Sequence, residues 1–212
     1  MAKIENINYR NFLDKGIIET LGEVDIKKAL ANITGRSKRE ARSLVITLYY
    51  TGARPNEVLE LKGADIERKN SYLILKVKGS KGGLPRSIYL PLRLELVKEL
   101  YHYSRSVFSG MFMFGHFRNE YYRTYVKKNG EVVKYKETTG KLRYYFNRWF
   151  SSVIDGSISP YFLRHNRLSK LSESGLSMED LRQIKGSKTF SSIYPYLHLS
   201  TKSAKKIASK ID

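Results

Sequence analysis

The chain has 212 residues, enough for one domain with its own hydrophobic core plus a short lead-in. Its 39 Lys and Arg against 20 Asp and Glu leave a net charge of +19, which internal ion pairs cannot neutralise and which implies either a polyanionic partner or a lysine-rich solvated surface of the ribosomal or heat-adapted kind. The absence of cysteine excludes disulfides, thiolate catalysis and cysteine-ligated zinc, while the lack of any apolar run near the roughly 18 residues of a membrane span, with a polar Met1–Arg10, leads us to expect an intracellular, cytoplasmic protein with no membrane partner.

Residues 1–35 carry short apolar clusters (Phe12, Leu13, Ile17, Ile18, then Val24, Ile26, Leu30) broken by Gly16, Gly22 and Gly35, and read as two short helices or a helical arm. A domain running from 36 to 200 and a basic tail over 201–212 complete the expected organisation. From Ser37 the spacing of Ala41, Leu44, Val45, Leu48 and Tyr49 predicts one face of a helix, closed by Gly52 as a left-handed cap. Pro55 suits the first turn of the next helix, which puts Arg54 in a tight corner between two helices.

Between Asp65 and Pro91 the period changes to two. Leu73, Leu75 and Val77 face one way and Tyr72, Ile74, Lys76 and Lys78 the other, predicting a strand pair that turns at Gly79–Gly83. A helix through Leu94, Val97, Leu100 and Tyr101 follows, then an aromatic and methionine segment, Phe108–Phe117, read as core. Residues 119–140 are polar, basic and tyrosine-rich, with Asn129-Gly130 as a hairpin turn; they form a DNA-contacting insertion or a surface loop. Helical patterns resume over Lys141–Val153, Pro160–Ser172 and Met178–Lys185, the last opened by a Ser177/Asp180 capping box. Thr201–Lys210 reads as a short basic helix. The fold class expected is α+β, mainly helical, with a small antiparallel β-sheet or hairpin.

One helix carries an anomaly. Positions 161, 164, 168 and 171 share a face and read Tyr, Arg, Leu, Leu, so Arg164 interrupts a stripe otherwise suited to the core. A guanidinium there costs several kcal/mol unless it meets a carboxylate or an external anion such as phosphate, and the sequence leaves both open.

Thr51-Gly52-Ala53-Arg54-Pro55-Asn56-Glu57-Val58-Leu59-Glu60-Leu61 resembles the first signature box of the tyrosine recombinases, the phage integrase family. Val77-Lys78-Gly79-Ser80-Lys81 leading to Pro85-Arg86-Ser87-Ile88-Tyr89-Leu90-Pro91 is similar to the family's β-hairpin, with Lys78 on its turn lysine and Lys81 as the alternative. Ser159-Pro160-Tyr161-Phe162-Leu163-Arg164-His165 resembles the box that usually reads His-x-x-Arg-His, with Tyr161 in place of the first histidine, as in integrases of archaeal plasmids and viruses. The same register puts Gly186-Ser187 on the family's Gly-His pair and Tyr196-Leu197-His198 on its Tyr-x-His ending. Tyr194 is the rival nucleophile among 16 tyrosines.

The resemblance covers roughly residues 37–200 and implies the tyrosine recombinase catalytic fold, cleaving and rejoining DNA through a 3′-phosphotyrosine without metal, cofactor or ATP. It implies Tyr196 as nucleophile, Arg54 and Arg164 as phosphate ligands, Lys78 as general acid, and His165, or less directly His198, as base. Tyr161 and Ser187 would donate hydroxyls to phosphate; Glu57 would orient a catalytic group or be a plain surface carboxylate; Lys81 and Arg86 would contact DNA. The partners implied are double-stranded DNA attachment sites and a homotetramer on DNA. The family's amino-terminal DNA-clamping domain, about a hundred residues, is missing before the first box, so a fragment or minimal form is expected. The rival functions are a type IB topoisomerase and a non-catalytic DNA-binding relative. A metal nuclease is poorly supported by the scattered His102, His116, His165 and His198, and Gly79–Gly83 lacks the nucleotide-binding P-loop pattern.

Overall fold

The computed structural model describes residues 21–80, 82–118, 121–137, 140–154 and 158–197. Helix α1, Glu23–Ala31, buries Ile26, Ala29 and Leu30 in the same hydrophobic cluster as the rest of the chain, so the second half of the expected arm is part of the core. The expected first arm helix and the tail 201–212 lie outside the described residues, as do Lys81 and His198.

Helix α2, Lys38–Thr51, is the central element. The spacing predicted one buried face, but Ser43, Ile46, Thr47 and Tyr50 are buried as well, because α2 is covered by other elements on several sides. The hydroxyls of Thr47 and Thr51 cope with burial by donating to the carbonyls of Ser43 and Thr47, one turn back, each at 2.7 Å. Gly52 ends α2 at φ 60°, and Pro55 opens α3, Pro55–Leu59, as expected.

The sheet has three strands rather than two: β1, Ile66–Lys69; β2, Tyr72–Val77; and β3, Arg86–Pro91, antiparallel in the order β1-β2-β3. Leu73 pairs with Leu90 and Leu75 with Ile88, and the buried side of β2 holds Leu73, Leu75 and Val77. Helix α4, Glu95–Ser104, packs on α2, and the Arg42 guanidinium links them through two bonds of 2.5 and 2.7 Å to Glu99. In the aromatic segment Met113, Phe114 and Phe117 are core, whereas Phe108 and Met111 are exposed. The difference arises because turns there bond to the Gly63 and Ala64 amides through Met111 and Ser109 carbonyls, which leaves the tip on the surface.

Strands β4, Tyr121–Val126, and β5, Val132–Glu137, form the hairpin expected at Asn129-Gly130, with Gly130 at φ 83°. Helices α5, Gly140–Phe150, α6, Tyr161–Glu173, and α7, Met178–Lys185, follow, and then a 3₁₀ turn, Tyr194–Tyr196. The Ser177/Asp180 capping box opens α7 as predicted. Helix α6 packs on α2, α7 and the 3₁₀ turn, which brings the anomalous arginine face against the corner after Gly52.

Candidate active site

Arg164 is buried, at 4 % exposure. Its Nη1 donates to the Gly52 carbonyl and its Nη2 to the Lys185 carbonyl, both at 2.9 Å. Among the described residues no carboxylate lies within ion-pair distance of it. In place of a carboxylate, two backbone carbonyls hold this side chain, and its charge has no counter-ion among the described residues. Burial, then the Arg54 charge, pull its pKa down to about 10, so it stays cationic at neutral pH.

Arg54 occupies the predicted corner, and a buried carboxylate organises it. Glu57 accepts from the Arg54 backbone N–H at 2.9 Å, from Arg54 Nη1 at 2.7 Å and from Arg86 Nη2 at 2.9 Å. Burial alone would raise the Glu57 pKa, but the bonds and charge of Arg86 and Arg54 outweigh it and hold the carboxyl below its ordinary range. Glu57 is thus a buried carboxylate paired with two arginines and not a surface one. Arg86, expected on DNA, has a side chain only 8 % exposed and turned toward Glu57 and the Leu84 carbonyl. The strand register and the pull of a buried carboxylate decide that orientation.

Tyr196 lies on the 3₁₀ turn at 3 % exposure, with its hydroxyl 2.6 Å from His165 Nδ1 and the two rings stacked at 5.5 Å between centroids. Tyr194 is 62 % exposed and points away from the core. His165 follows Arg164 on α6, and burial, then the charges of Arg164 and Lys185, depress its pKa to about 3. A neutral imidazole therefore faces the Tyr196 phenol across the whole physiological range.

The remaining expected residues are placed differently. Ser187 Oγ donates within its own loop, toward the Thr189 carbonyl at 3.1 Å, and lies 2.7 Å from Ser192 Oγ. Tyr161 opens α6 one turn before Arg164. Lys78, just past β2, is 72 % exposed and 3.9 Å from Asp65. Lys185 was not expected at the site. Its ammonium bonds the Ser192 carbonyl and stands 4.9 Å from the centroid of the Tyr196 ring. The only sequence signal was its place immediately before Gly186-Ser187.

Arg54 and Tyr196 both lie within electrostatic reach of Arg164, and Tyr196 is paired with a neutral histidine; cations placed beside a phenol in this way can receive an anion such as phosphate. Residues 19–203 match the phage integrase family, and the chain belongs to it. Among curated relatives, tyrosine recombinase XerA of Pyrococcus furiosus is 26% identical over 195 residues, covering 92% of this chain and 62% of the relative. XerA of Thermococcus onnurineus is 21% identical, with 92% and 64% covered. These archaeal relatives fit the resemblance carried by the Tyr-x-x-Arg box. The chain thus spans 62% and 64% of the length of these two relatives.

Among solved structures, the XerA recombinase superposes with a TM-score of 0.61 at 20% identity, covering 92% of this chain and 63% of that one. The XerH recombinase bound to its difH substrate gives 0.62 at 17%, covering 92% and 55%. A lambda integrase dimer bound to a COC′ core site gives 0.53 at 16%, covering 93% and 49%. The expected tyrosine recombinase catalytic fold is therefore the fold of this chain.

Proposed function

We propose that this chain carries the catalytic machinery of a site-specific DNA recombinase that cuts and rejoins strands through a 3′-phosphotyrosine on Tyr196. The observation that carries the reading is the buried Arg164 charge, without a carboxylate, beside Arg54 and the Tyr196–His165 pair. A scissile phosphate would accept from both guanidinium groups, whose planar forks suit its non-bridging oxygens and the charge of the pentacoordinate state.

Tyr196 Oη then attacks in line. The O–P bond forms, the bond from phosphorus to the 5′-oxygen breaks, Lys78 protonates the leaving oxygen, and the phenolic proton passes to His165 Nδ1, which the bound phosphate makes more basic by offsetting the Arg164 and Lys185 charges that depress it. Because Lys78 is exposed at the end of β2, bound DNA brings the phosphate within its reach. The bond energy is kept in the phosphotyrosine, so a 5′-hydroxyl from another strand reverses the step without ATP, and no step calls on a metal. The assembly we assign to it is a homotetramer on two double-stranded attachment sites.

The test is covalent capture. The protein is incubated without metal with nicked duplexes whose core is randomised, and DNA bound to protein after denaturation is recovered and sequenced. We expect an adduct on a defined sequence, lost in Tyr196→Phe, kept in Tyr194→Phe and reduced at least about a hundredfold in Arg164→Lys. Sequence-selective binding with no adduct would instead identify a non-catalytic DNA-binding relative, and an adduct without strand exchange between two sites a topoisomerase.

A further inference from the structure

Lys185 ends α7, and Gly186 turns the chain into the loop that returns to Tyr196. Its two polar groups serve opposite halves of the site. The backbone carbonyl accepts from Arg164 Nη2 at 2.9 Å, while the ammonium reaches back to the Ser192 carbonyl and the face of the Tyr196 ring, 4.9 Å from its centroid. Ser187, the next polar residue, contributes no charge and bonds the same loop.

We propose that Lys185 is a positioning and electrostatic residue for the nucleophile, clamping the Ser192–Tyr196 segment and stabilising the Tyr196 phenolate as its proton leaves for His165. The inference rests on Tyr196 being the nucleophile, the reading given above. Among the described residues no carboxylate pairs with this half-buried ammonium, and the other cations near it are Arg164 and Arg54. Such a charge is retained at a cost unless an anion forms beside it. The phenolate and the incoming phosphate are the two anions the reaction brings there. Burial, then those two arginines, bring the Lys185 pKa down to about 8, so at pH 7 the group is still mostly protonated and able to act on the phenolate. An opposite charge at this range moves a phenol's pKa by roughly one unit or more.

The role separates cleanly from that of a loop clamp. Lys185→Gln keeps a donor for the Ser192 carbonyl without the charge, Lys185→Met keeps neither, and Lys185→Arg keeps both. The first readout needs no DNA: with ¹³Cζ-labelled tyrosine, the Tyr196 resonance, assigned by its loss in Tyr196→Phe, is titrated in the whole protein. The second is single-turnover cleavage against pH on the duplex recovered by covalent capture.

We expect both uncharged variants to raise the Tyr196 pKa by about one unit and to slow cleavage about tenfold at pH 7, with the deficit shrinking as pH rises, and Lys185→Arg to restore both. DNA affinity should stay within about threefold. A Gln variant whose Tyr196 titrates like wild type would reduce Lys185 to a loop clamp, and a cleavage loss matched by lost DNA affinity would make it a phosphate contact; either overturns the proposal. If wild type forms no adduct while Tyr196 still titrates abnormally, it is the nucleophile assignment that fails and not the effect of Lys185.

Discussion

Arg164 and His165 are neighbours on one helix and solve opposite problems of burial. The guanidinium cannot give up its proton near neutral pH, so it keeps its charge and is held by two carbonyls; the imidazole can, and stays neutral. The His165 pKa, depressed to about 3 from an ordinary 6.5, has a stability consequence. Between pH 6.5 and about 3 the unfolded chain takes up a proton that the folded chain refuses, so this residue favours folding fully above pH 6.5 and progressively less as pH falls. His165→Gln should therefore show a flatter loss of stability over that window. The difference in slope can reach about 1.4 kcal/mol per pH unit, the value for one proton, and urea midpoints measured at several pH values would reveal it. Parallel profiles would show that His165 titrates normally. The place of Arg164 and His165 side by side on one helix was legible in the sequence through the box they belong to. The contact between His165 and Tyr196 was not, because 31 residues separate them and only the packing of α6 against the 3₁₀ turn joins them.

At the scale of elements, the site hangs on two left-handed caps, Gly52 and Gly186. Both were visible as glycines at helix ends, and the carbonyl of Gly52 and the turn at Gly186 set where Arg164 and Lys185 lie. A methyl group at Gly186 would meet Arg86 Nη1 at 2.4 Å and the Leu84 carbonyl at 3.0 Å, in addition to the strain of φ 66°. At Gly82, φ is 75° but the space is open. Gly186→Ala is expected to destabilise the fold by roughly 2–3 kcal/mol and Gly82→Ala by about 1 kcal/mol, as read from urea denaturation. Equal losses would mean that the crowding around Gly186 relaxes freely. Strand β1 escaped the sequence reading for a physical reason. Ile66-Glu67-Arg68-Lys69 is a short, charged edge strand without apolar alternation, and its place is set by pairing with β2, including a 2.8 Å contact between Glu67 and Lys76. The exposed tip at Phe108 and Met111 misled in the other direction, since composition suggested core where backbone turns dictated surface.

Across the whole molecule, an excess of 19 positive charges predicts binding dominated by phosphate contacts. Affinity for duplex DNA should fall by roughly 10³-fold or more between about 50 mM and about 200 mM salt, measured by fluorescence anisotropy. A shallow salt dependence would mean that the charge is only a solvated surface. Sequence by itself determined the fold class, the position of most helices, the strand alternation of β2, and the family, because these follow from local periodicity, caps and ordered boxes. Tertiary structure decided what each side chain faces. Glu57 became a buried hub, Arg86 its partner, Ser187 a loop tie and Lys185 a neighbour of Tyr196, since burial, charge balance and reach through space are properties of packed elements and not of their order in the chain.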